Sequence, residues 1–173
     1  MNKQRDKHVT VVVGVLSDTH GRLSDACFSA LADCALIIHA GDIGDPHIVS
    51  TLKTLSPVVA VLGNNDFEEY GKDVRQRAKC DLAGVRFFIS HYPEQVDLKR
   101  RGATYFETCE PLPHVCIHGH THIPHKETGK LASPADLLLC PGSASYPRGG
   151  SQPSIAKTIL REGRVKDVWF EAV

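Results

Sequence analysis

The stretch VTVVVGVL, residues 9–16, is an almost unbroken run of apolar and β-branched side chains. Such a run predicts a β-strand buried on both faces, because a strand with one face in water would alternate apolar and polar residues. Two later segments have the same character, ALII at residues 35–38 and VVAVL at residues 58–62. Each gap between them has room for a helix. The order β-α-β-α-β predicts a parallel sheet with right-handed crossovers.

Both intervening segments carry helical patterns. The first has an apolar stripe at helical spacing, made of Leu23, Ala26, Cys27, Ala30, Leu31 and Cys34. The second begins with Asp45-Pro46, a pair typical of an N-cap followed by proline at the first helical position. Its apolar face is made of Ile48, Val49, Leu52 and Leu55.

The second half of the chain is richer in strands. Residues 80–83 and 85–90 flank Gly84 and predict a hairpin, and a helix is expected from Pro93 toward Phe106. Buried runs follow at 115–117 and 137–140, and the alternating segments 155–160 and 165–170 predict an antiparallel hairpin. We therefore expect an α/β fold of four layers, α-β-β-α, with two mixed sheets between helices and a single domain spanning residues 1–173.

Charge and cysteine content exclude several classes of protein. The 173 residues include 20 basic and 20 acidic side chains, so a nucleic-acid partner held by bulk charge is not expected. Six cysteines form no Cys-x-x-Cys pair, which predicts reduced thiols and a cytoplasmic location. The apolar run at residues 9–16 is too short for a membrane span and leads into no cleavage site, so neither a membrane helix nor a secretory signal is expected.

Seven side chains that can bind metals follow the predicted strands. They are Asp18, His20, Asp42, Asn64, His91, His120 and His122. The steps from Asp18 to Asp42, Asn64, His91 and His120 are 24, 22, 27 and 29 residues, each about one strand plus its crossover. Every candidate thus falls at the carboxyl end of a strand, where open α/β sheets build their sites. One such residue alone would be a turn or structural residue, but seven without a cation would leave many polar groups poorly paired.

The composition of this set indicates the kind of metal site. Two carboxylates, one amide and four imidazoles are too many ligands for one tetrahedral ion, and the absence of a thiolate argues against structural zinc. The set suits two divalent ions bridged by a carboxylate. Mn is the metal we expect, with Fe, Co, Ni and Zn as alternatives. Such a pair attracts phosphate oxygens and lowers the pKa of a bridging water toward neutrality, which makes it a nucleophile.

These motifs, in this order, resemble the signature of the calcineurin-like metallophosphoesterase superfamily. The matching segments are Asp18-Thr19-His20, Gly41-Asp42, Gly63-Asn64, His91 and Gly119-His120-Thr121-His122. The resemblance runs over almost the whole chain. The chain length and the later segments Cys140-Pro141-Gly142-Ser143 and Pro147-Arg148-Gly149 are similar to the small YfcE-type phosphodiesterase branch.

The resemblance implies a role for each residue. One metal ion is expected to be held by Asp18, His20 and His122, the other by Asn64, His91 and His120, with Asp42 bridging them. A metal-bridging hydroxide would hydrolyse a small phosphate diester by attack on phosphorus. The residues expected to act in catalysis are Asp42, Asn64 and His91. The turn that sends His120 and His122 to different ions is expected at Gly119.

Two positions depart from the pattern of many relatives. Asn65 stands where they have a histidine that can protonate the leaving group, and the YfcE-type branch also lacks that histidine. Because an amide cannot serve as a general acid near neutral pH, we expect a preference for diesters with good leaving groups over monoesters. This substitution also leaves Asp66, the usual partner of that histidine, without an assigned role. Tyr92 stands where relatives commonly have glycine, and it either lines the substrate pocket or packs beside it.

Alternative functions come from the same fold and the same chemistry. The fold also occurs in a retromer subunit that is a protein-interaction scaffold, so the fold alone does not establish catalysis. A nucleotide pyrophosphatase or nuclease would use the same two-metal chemistry. Relatives of this size often self-associate, so a homo-oligomer is an alternative to a monomer for this chain.

The remaining histidines are expected to lie outside the site. His39 and His118 are predicted to pack behind the metal ligands. His8, His47, His114 and His125 are predicted to be surface residues. The turn Gly142-Ser143 is expected to be structural, with contact to phosphate as the alternative.

Overall fold

The computed structural model describes residues 10–67 and 70–173. Within these residues the chain forms ten strands, three short α-helices and a 3-10 helix. The strands are β1 (Val11–Leu16), β2 (Leu36–His39), β3 (Val58–Ala60), β4 (Arg77–Leu82), β5 (Val85–Ser90), β6 (Val115–Ile117), β7 (Pro124–Thr128), β8 (Leu137–Pro141), β9 (Ser154–Arg161) and β10 (Arg164–Ala172). The helices are α1 (Asp25–Ala30), α2 (Pro46–Leu52), α3 (Pro93–Val96) and the 3-10 helix Arg101–Tyr105.

The first sheet has the strand order β10-β9-β1-β2-β3. The predicted β-α-β-α-β half is confirmed, because β1 pairs in parallel with β2, and β2 with β3. The predicted C-terminal hairpin is also confirmed as the antiparallel pair β9-β10. It belongs to this same sheet, because β9 also pairs antiparallel with β1. Val9 lies outside the described residues. The third strand is predicted over residues 58–62 but ends at Ala60 in the structure. Beyond Ala60, an isolated bridge joins Val61 to Arg75.

The second sheet has the order β4-β5-β6-β8-β7. The predicted hairpin around Gly84 is its β4-β5 pair, and β6 runs parallel to both β5 and β8. Strand β7 has no counterpart in the sequence prediction. Its residues, PHKET, include no apolar run because β7 is an edge strand that pairs only with β8 and is largely exposed.

The predicted helix from Pro93 toward Phe106 is wrong in extent. Helix α3 stops at Val96, because Asp97 adopts an extended conformation and its carboxylate accepts the Lys99 N–H at 2.9 Å. A side chain that bonds the backbone two residues later competes with helix formation. The chain resumes as the 3-10 helix, and its Gly102 N–H donates to the Asp97 carbonyl at 2.8 Å.

Adjacent residues of the central strands face two different apolar layers. Val15 of β1 and Phe87 of β5 belong to the core between the sheets, whereas their neighbours Leu16 and Phe88 face outward. The outward layer of the first sheet packs against α1, α2 and the turn after α1, and that of the second sheet packs against α3. The four-layer α-β-β-α architecture is thus confirmed, and the central strands of each sheet are buried on both faces, as their continuous apolar runs predicted.

None of the helices in residues 10–67 and 70–173 is long and apolar enough to cross a membrane. All six cysteines are free thiols, as predicted. Burial raises the pKa of Cys27, Cys34 and Cys116 to about 12, so these thiols pack as small apolar groups.

Truncation of Phe87 tests the core between the two sheets. Phe87 is 1% exposed in that core, so Phe87→Ala should lower the free energy of unfolding by about 3 to 5 kcal/mol. Leu131 is 67% exposed, and Leu131→Ala should change it by less than about 0.5 kcal/mol. Urea unfolding monitored by circular dichroism measures both values. A loss below about 1 kcal/mol for Phe87→Ala would contradict the packing of the two sheets.

Candidate metal centre

The seven predicted ligands all lie just beyond the carboxyl ends of strands. Asp18 and His20 follow β1, Asp42 follows β2, and Asn64 follows β3. His91 directly follows β5, and His120 and His122 follow β6. The first sheet therefore supplies four of these residues and the second sheet three. The structure brings all seven into two adjoining groups.

The first group consists of Asp18, His20, Asp42 and His122, whose ligand atoms lie within 4.8 Å of one another. His122 Nε2 is 3.1 Å from Asp18 Oδ1. His20 Nε2 is 3.4 Å from His122 Nε2 and 3.7 Å from Asp42 Oδ2. Carboxylate oxygens and imidazole nitrogens thus converge on one point, as they would around a divalent cation.

The second group consists of Asn64, His91 and His120. Asn64 Oδ1 is 2.9 Å from His120 Nδ1 and 3.1 Å from His91 Nε2. Asp42 contacts both groups, since its Oδ1 is 3.5 Å from His91 Nε2 while its Oδ2 faces His20. The structure therefore places Asp42 between the two groups, where the sequence predicted a bridging ligand.

Two of the histidines are oriented by backbone carbonyls behind them. The Nδ1 of His91 is 2.8 Å from the Ala40 carbonyl, and the Nδ1 of His122 is 2.6 Å from the Tyr146 carbonyl. An Nδ1–H that donates to a carbonyl leaves Nε2 unprotonated and directed at the centre. Burial also lowers the pKa of His91 and His122 below its ordinary value, which favours the neutral form that binds metals.

The buried carboxylate of Asp18 is only partly satisfied by hydrogen bonds from the described residues. Its Oδ1 is buried and has no hydrogen-bond partner among the described residues, while its Oδ2 accepts the His120 N–H at 3.1 Å. Burial, together with the nearby Asp42 charge, raises the pKa of Asp18 from 3.8 to about 7. A bound cation would compensate the buried carboxylates. The donor set and this unpartnered oxygen both fit a divalent metal.

The backbone at the centre is held in the left-handed region. Asp18, His20, Asp42, His120 and His122 have φ angles of 54°, 45°, 53°, 68° and 62°. The other non-glycine residues of positive φ in the described chain are Ala83 and Glu162, which lie in hairpin turns. Left-handed backbone is uncommon for residues other than glycine and is concentrated at functional sites. The predicted turn does begin at Gly119, whose carbonyl accepts the Thr121 N–H at 2.8 Å, and the residues in it with positive φ are His120 and His122.

Three glycines precede site residues because a side chain would collide there. A Cβ on Gly41 would lie 2.6 Å from His91 Nδ1, and one on Gly119 would lie 2.8 Å from Asp18 Oδ2. A Cβ on Gly63 would strike the Asp42 carboxylate. The glycines of the Gly-Asp, Gly-Asn and Gly-His motifs thus allow loops from different strands to approach closely.

Asp66, which had no assigned role, holds two of the metal-site loops together. Its carboxylate accepts backbone N–H groups of Ile43 at 2.9 Å, Gly44 at 3.0 Å and Gly63 at 2.8 Å. Burial acts to raise the pKa of Asp66, but these hydrogen bonds and one from Tyr70 outweigh it and keep the pKa below its ordinary value. The ionised carboxylate therefore joins the loop after β2 to the loop after β3.

Asn65 contacts the carboxylate that lies between the two groups. Its backbone N–H donates to Asp42 Oδ1 at 2.9 Å, and its side-chain amide donates to Asp42 Oδ2 at 2.7 Å. Asn65 thus orients Asp42. The sequence indicated that this residue cannot act as an acid but did not indicate this contact.

The loop after β8 supports the site in a way that the sequence did not predict. Ser143 Oγ donates to the Asp18 carbonyl at 2.7 Å, and Ser145 Oγ donates to the Thr19 carbonyl at 2.7 Å. The hydroxyl of Ser143 therefore serves a structural role, as expected for the Gly142-Ser143 turn. The Cys140-Pro141-Gly142-Ser143 motif was the available signal, but only the fold shows that this loop lies against the loop after β1.

The histidines predicted to pack behind the ligands do so. His39 Nε2 is 2.9 Å from Thr19 Oγ1, and His118 Nδ1 is 2.8 Å from the Gly119 carbonyl. Burial lowers the pKa of each to about 4, so both imidazoles are neutral. The surface prediction for His114 is wrong, because it is half-buried and its Nδ1 accepts the Arg86 N–H at 3.0 Å.

The other surface predictions differ in outcome. His47 and His125 are exposed as predicted, and His8 lies outside the described residues.

A cleft adjoins each of the two groups of ligands. The larger, of about 660 Å³, is lined by His20, His122, Ser145, Tyr146, Pro147 and Arg148. The smaller, of about 360 Å³, includes Gly63, Asp66, Phe67 and Tyr92. The Tyr92 ring packs beside the His91 and His120 rings, with centroids 5.3 and 5.1 Å away. Both alternatives considered for Tyr92 therefore apply, since it packs against ligands and also lines a cleft.

Solved structures share the fold over nearly the whole chain. A conserved Streptococcus pneumoniae protein described as a predicted phosphoesterase has a TM-score of 0.69 at 22% identity, covering 95% of this chain and 91% of that one. Zinc-bound Vps29 from Entamoeba histolytica has a TM-score of 0.69 at 17% identity, with 94% and 98% covered. The phosphoesterase YfcE from E. coli has a TM-score of 0.58 at 19% identity, with 92% and 98% covered. These TM-scores show a common fold.

Sequence comparison establishes the family. A probable metallophosphoesterase from Methanothermobacter thermautotrophicus is 34% identical over 147 residues, which cover 80% of this chain and 80% of that protein. The calcineurin-like phosphoesterase superfamily domain matches residues 11–162, a range that contains all seven candidate ligands. The chain belongs to the calcineurin-like phosphoesterase superfamily.

Proposed function

We propose that this protein is a phosphodiesterase that depends on two divalent metal ions, and we expect these ions to be Mn²⁺. The observation that carries the proposal is the pair of adjoining ligand groups that share Asp42. Asp18, His20 and His122 would hold one ion, and Asn64, His91 and His120 the other. When bound, such ions supply an activated water and neutralise charge on the phosphate oxygens.

The protein groups around the centre would orient the substrate. Asn64 Oδ1 faces His91 and His120, which leaves its amide N–H groups available to donate to a phosphate oxygen. Two hydrogen bonds from Asn65 keep the Asp42 carboxylate in place, and the absence of a side chain at Gly63 leaves room for it. The carbonyls behind His91 and His122 fix the directions of these rings, so the site needs little reorganisation when it binds an ester.

The contact between Asn65 and Asp42 supports a preference for diesters with good leaving groups. The side-chain N–H of Asn65 already donates to Asp42, and an amide has no proton to transfer near neutral pH. A leaving group that departs as a stable anion, such as p-nitrophenolate, does not require that proton. Free thiols at all six cysteines suit a reducing compartment, and we propose a cytoplasmic location.

Metal content and hydrolysis together test the proposed function. The purified protein should bind about two Mn²⁺ per chain and hydrolyse bis(p-nitrophenyl) phosphate faster than p-nitrophenyl phosphate. Chelation should abolish hydrolysis, Mn²⁺ should restore it, and Asp42→Asn should remove it. A dominant monoesterase would overturn the diester preference. A protein without metal or activity would instead favour the interaction-scaffold alternative.

Removal of the Asp18 charge should stabilise the metal-free protein at high pH. Because the folded-state pKa of about 7 lies above the ordinary 3.8, the protonated carboxyl stabilises the fold at low pH, and this contribution is lost as pH rises through 7. Asp18→Asn avoids that loss. In excess chelator its unfolding free energy should exceed that of the wild type by about 1 to 3 kcal/mol at about pH 8, and the gap should shrink toward about pH 4.

Urea unfolding across this pH range measures the difference between the two proteins. Added Mn²⁺ should stabilise the wild type and leave Asp18→Asn nearly unchanged, because the variant lacks a proposed ligand. Equal stabilisation of both proteins by Mn²⁺ would show that Asp18 does not bind the metal.

Substitution of Asp66 should weaken metal binding without removing a ligand. In Asp66→Asn an amide nitrogen faces one of the three backbone N–H donors, so the loops after β2 and β3 lose a connection. Mn²⁺ affinity measured by calorimetry should fall by about 10- to 100-fold. Asp45→Asn is the matched control, because Asn caps α2 as well as Asp does. Unchanged affinity in Asp66→Asn would contradict the role assigned to Asp66.

A further inference from the structure

The larger cleft beside the metal centre is lined by one arginine side chain, and a second arginine contacts another residue of the lining. Arg148 lines the cleft together with His20 and His122, and its guanidinium forms no hydrogen bond or ion pair with any described residue. The Arg22 guanidinium lies 5.4 Å from the centroid of the Tyr146 ring, which is also part of the lining. One cation thus lines an open space next to one group of proposed ligands, and a second lies against a residue of that lining.

Backbone hydrogen bonds fix the segment that carries Arg148 relative to the metal centre. The Arg148 N–H donates to the His122 carbonyl at 3.2 Å, and the Tyr146 carbonyl accepts from His122 Nδ1 at 2.6 Å. The Tyr146 N–H donates to Ser143 Oγ at 2.8 Å. The backbone that carries the guanidinium is therefore hydrogen-bonded to both the main chain and the ring of the proposed ligand His122.

The second cation is held by aromatic contacts. The Tyr146 ring, in a residue that is 42% exposed, meets the His20 ring edge-on with centroids 5.4 Å apart, and Arg22 lies over the tyrosine. A cation over a tyrosine ring gains electrostatic energy and keeps its N–H donors free to bind an anion. Tyr146 thus contacts both Arg22 and His20, and His20 belongs to the metal centre.

This local positive charge is not part of a generally basic protein. The chain has equal numbers of acidic and basic residues. One diester phosphate carries a single negative charge, which the proposed metal ions would already attract. The arginines remain available for a different anionic group.

We propose that Arg148, assisted by Arg22, binds a second anionic group on the substrate, so that the preferred diester carries a phosphate monoester or carboxylate on the arm that enters this cleft. The inference rests on the proposed phosphodiesterase function. The planar guanidinium of Arg148 suits two parallel hydrogen bonds to such a group. Arg148 is then a specificity-determining residue that does not contact the reacting phosphorus.

Two esters that differ only in the second anion test this specificity. One is the p-nitrophenyl ester of thymidine 5′-phosphate, and the other carries a further phosphate on the 3′-oxygen. The Mn²⁺-loaded wild type should hydrolyse the second with a kcat/KM about 10- to 100-fold higher, since charge-assisted hydrogen bonds add to its binding. In Arg148→Gln this ratio should approach one, and Arg148→Lys should retain part of it.

Arg164→Gln is the matched control, because it removes the same charge at the opposite end of the first sheet. It should keep the wild-type ratio. Calorimetry with thymidine 3′,5′-bisphosphate and thymidine 5′-phosphate provides a second readout, and Arg148→Gln should lose the difference in affinity between these ligands. Thermal unfolding verifies that each variant is folded.

The outcomes separate this proposal from the proposed function. A wild-type ratio near one, an unchanged ratio in Arg148→Gln, or an equal loss in Arg164→Gln would overturn the role of Arg148 while hydrolysis of both esters still supports a phosphodiesterase. Absence of hydrolysis with every metal would overturn the proposed function. The calorimetric difference would then still decide whether Arg148 binds the second anion.

Discussion

The proximity of two buried carboxylates, Asp18 and Asp42, is the constraint on which the rest of the structure depends. Burial and the Asp42 charge together raise the pKa of Asp18 to about 7, and one oxygen of Asp18 has no hydrogen-bond partner among the described residues. Two such groups repel each other unless positive charge lies between or beside them. Burial lowers the pKa of His91 and His122, which favours neutral rings that offer lone pairs, so a metal ion would satisfy both kinds of group at once. The stability of the fold and the proposed chemistry would then depend on the same bound metal.

The backbone around these carboxylates adopts conformations that a fold without a site would avoid. Five site residues have positive φ, and glycines at positions 41, 63 and 119 leave space for the side chains of neighbouring loops. Hydrogen bonds from outside the ligand set offset the strain. Asp66 joins the loops after β2 and β3, and Ser143 holds the loop after β1. Because these supports come from loops far apart in the chain, the centre should be preorganised only in the complete fold.

The two clefts make the two sides of the centre chemically different, whereas the proposed ligands on the two sides are similar. One cleft presents Arg148 and Tyr146 next to His20 and His122, and the other presents Tyr92 and Phe67 next to the second group. A diester bound between the two groups would direct its two arms into chemically different surroundings. The ligands would then determine that a phosphate ester binds, and the clefts would determine which ester is preferred.

The sequence by itself determined the parallel β-α-β-α-β half, both hairpins and the residues that gather at the strand ends. It could do so because burial on both faces leaves a continuous apolar run, and because the carboxyl ends of parallel strands meet at one edge. Only the tertiary structure decided the contacts between distant loops. Strand β7 has no apolar run, α3 ends where the Asp97 side chain bonds the backbone, and His114 is half-buried through a bond to Arg86. The roles of Asp66 and Asn65 and the position of Arg148 likewise depend on which loops face each other, and local residue patterns do not encode that information.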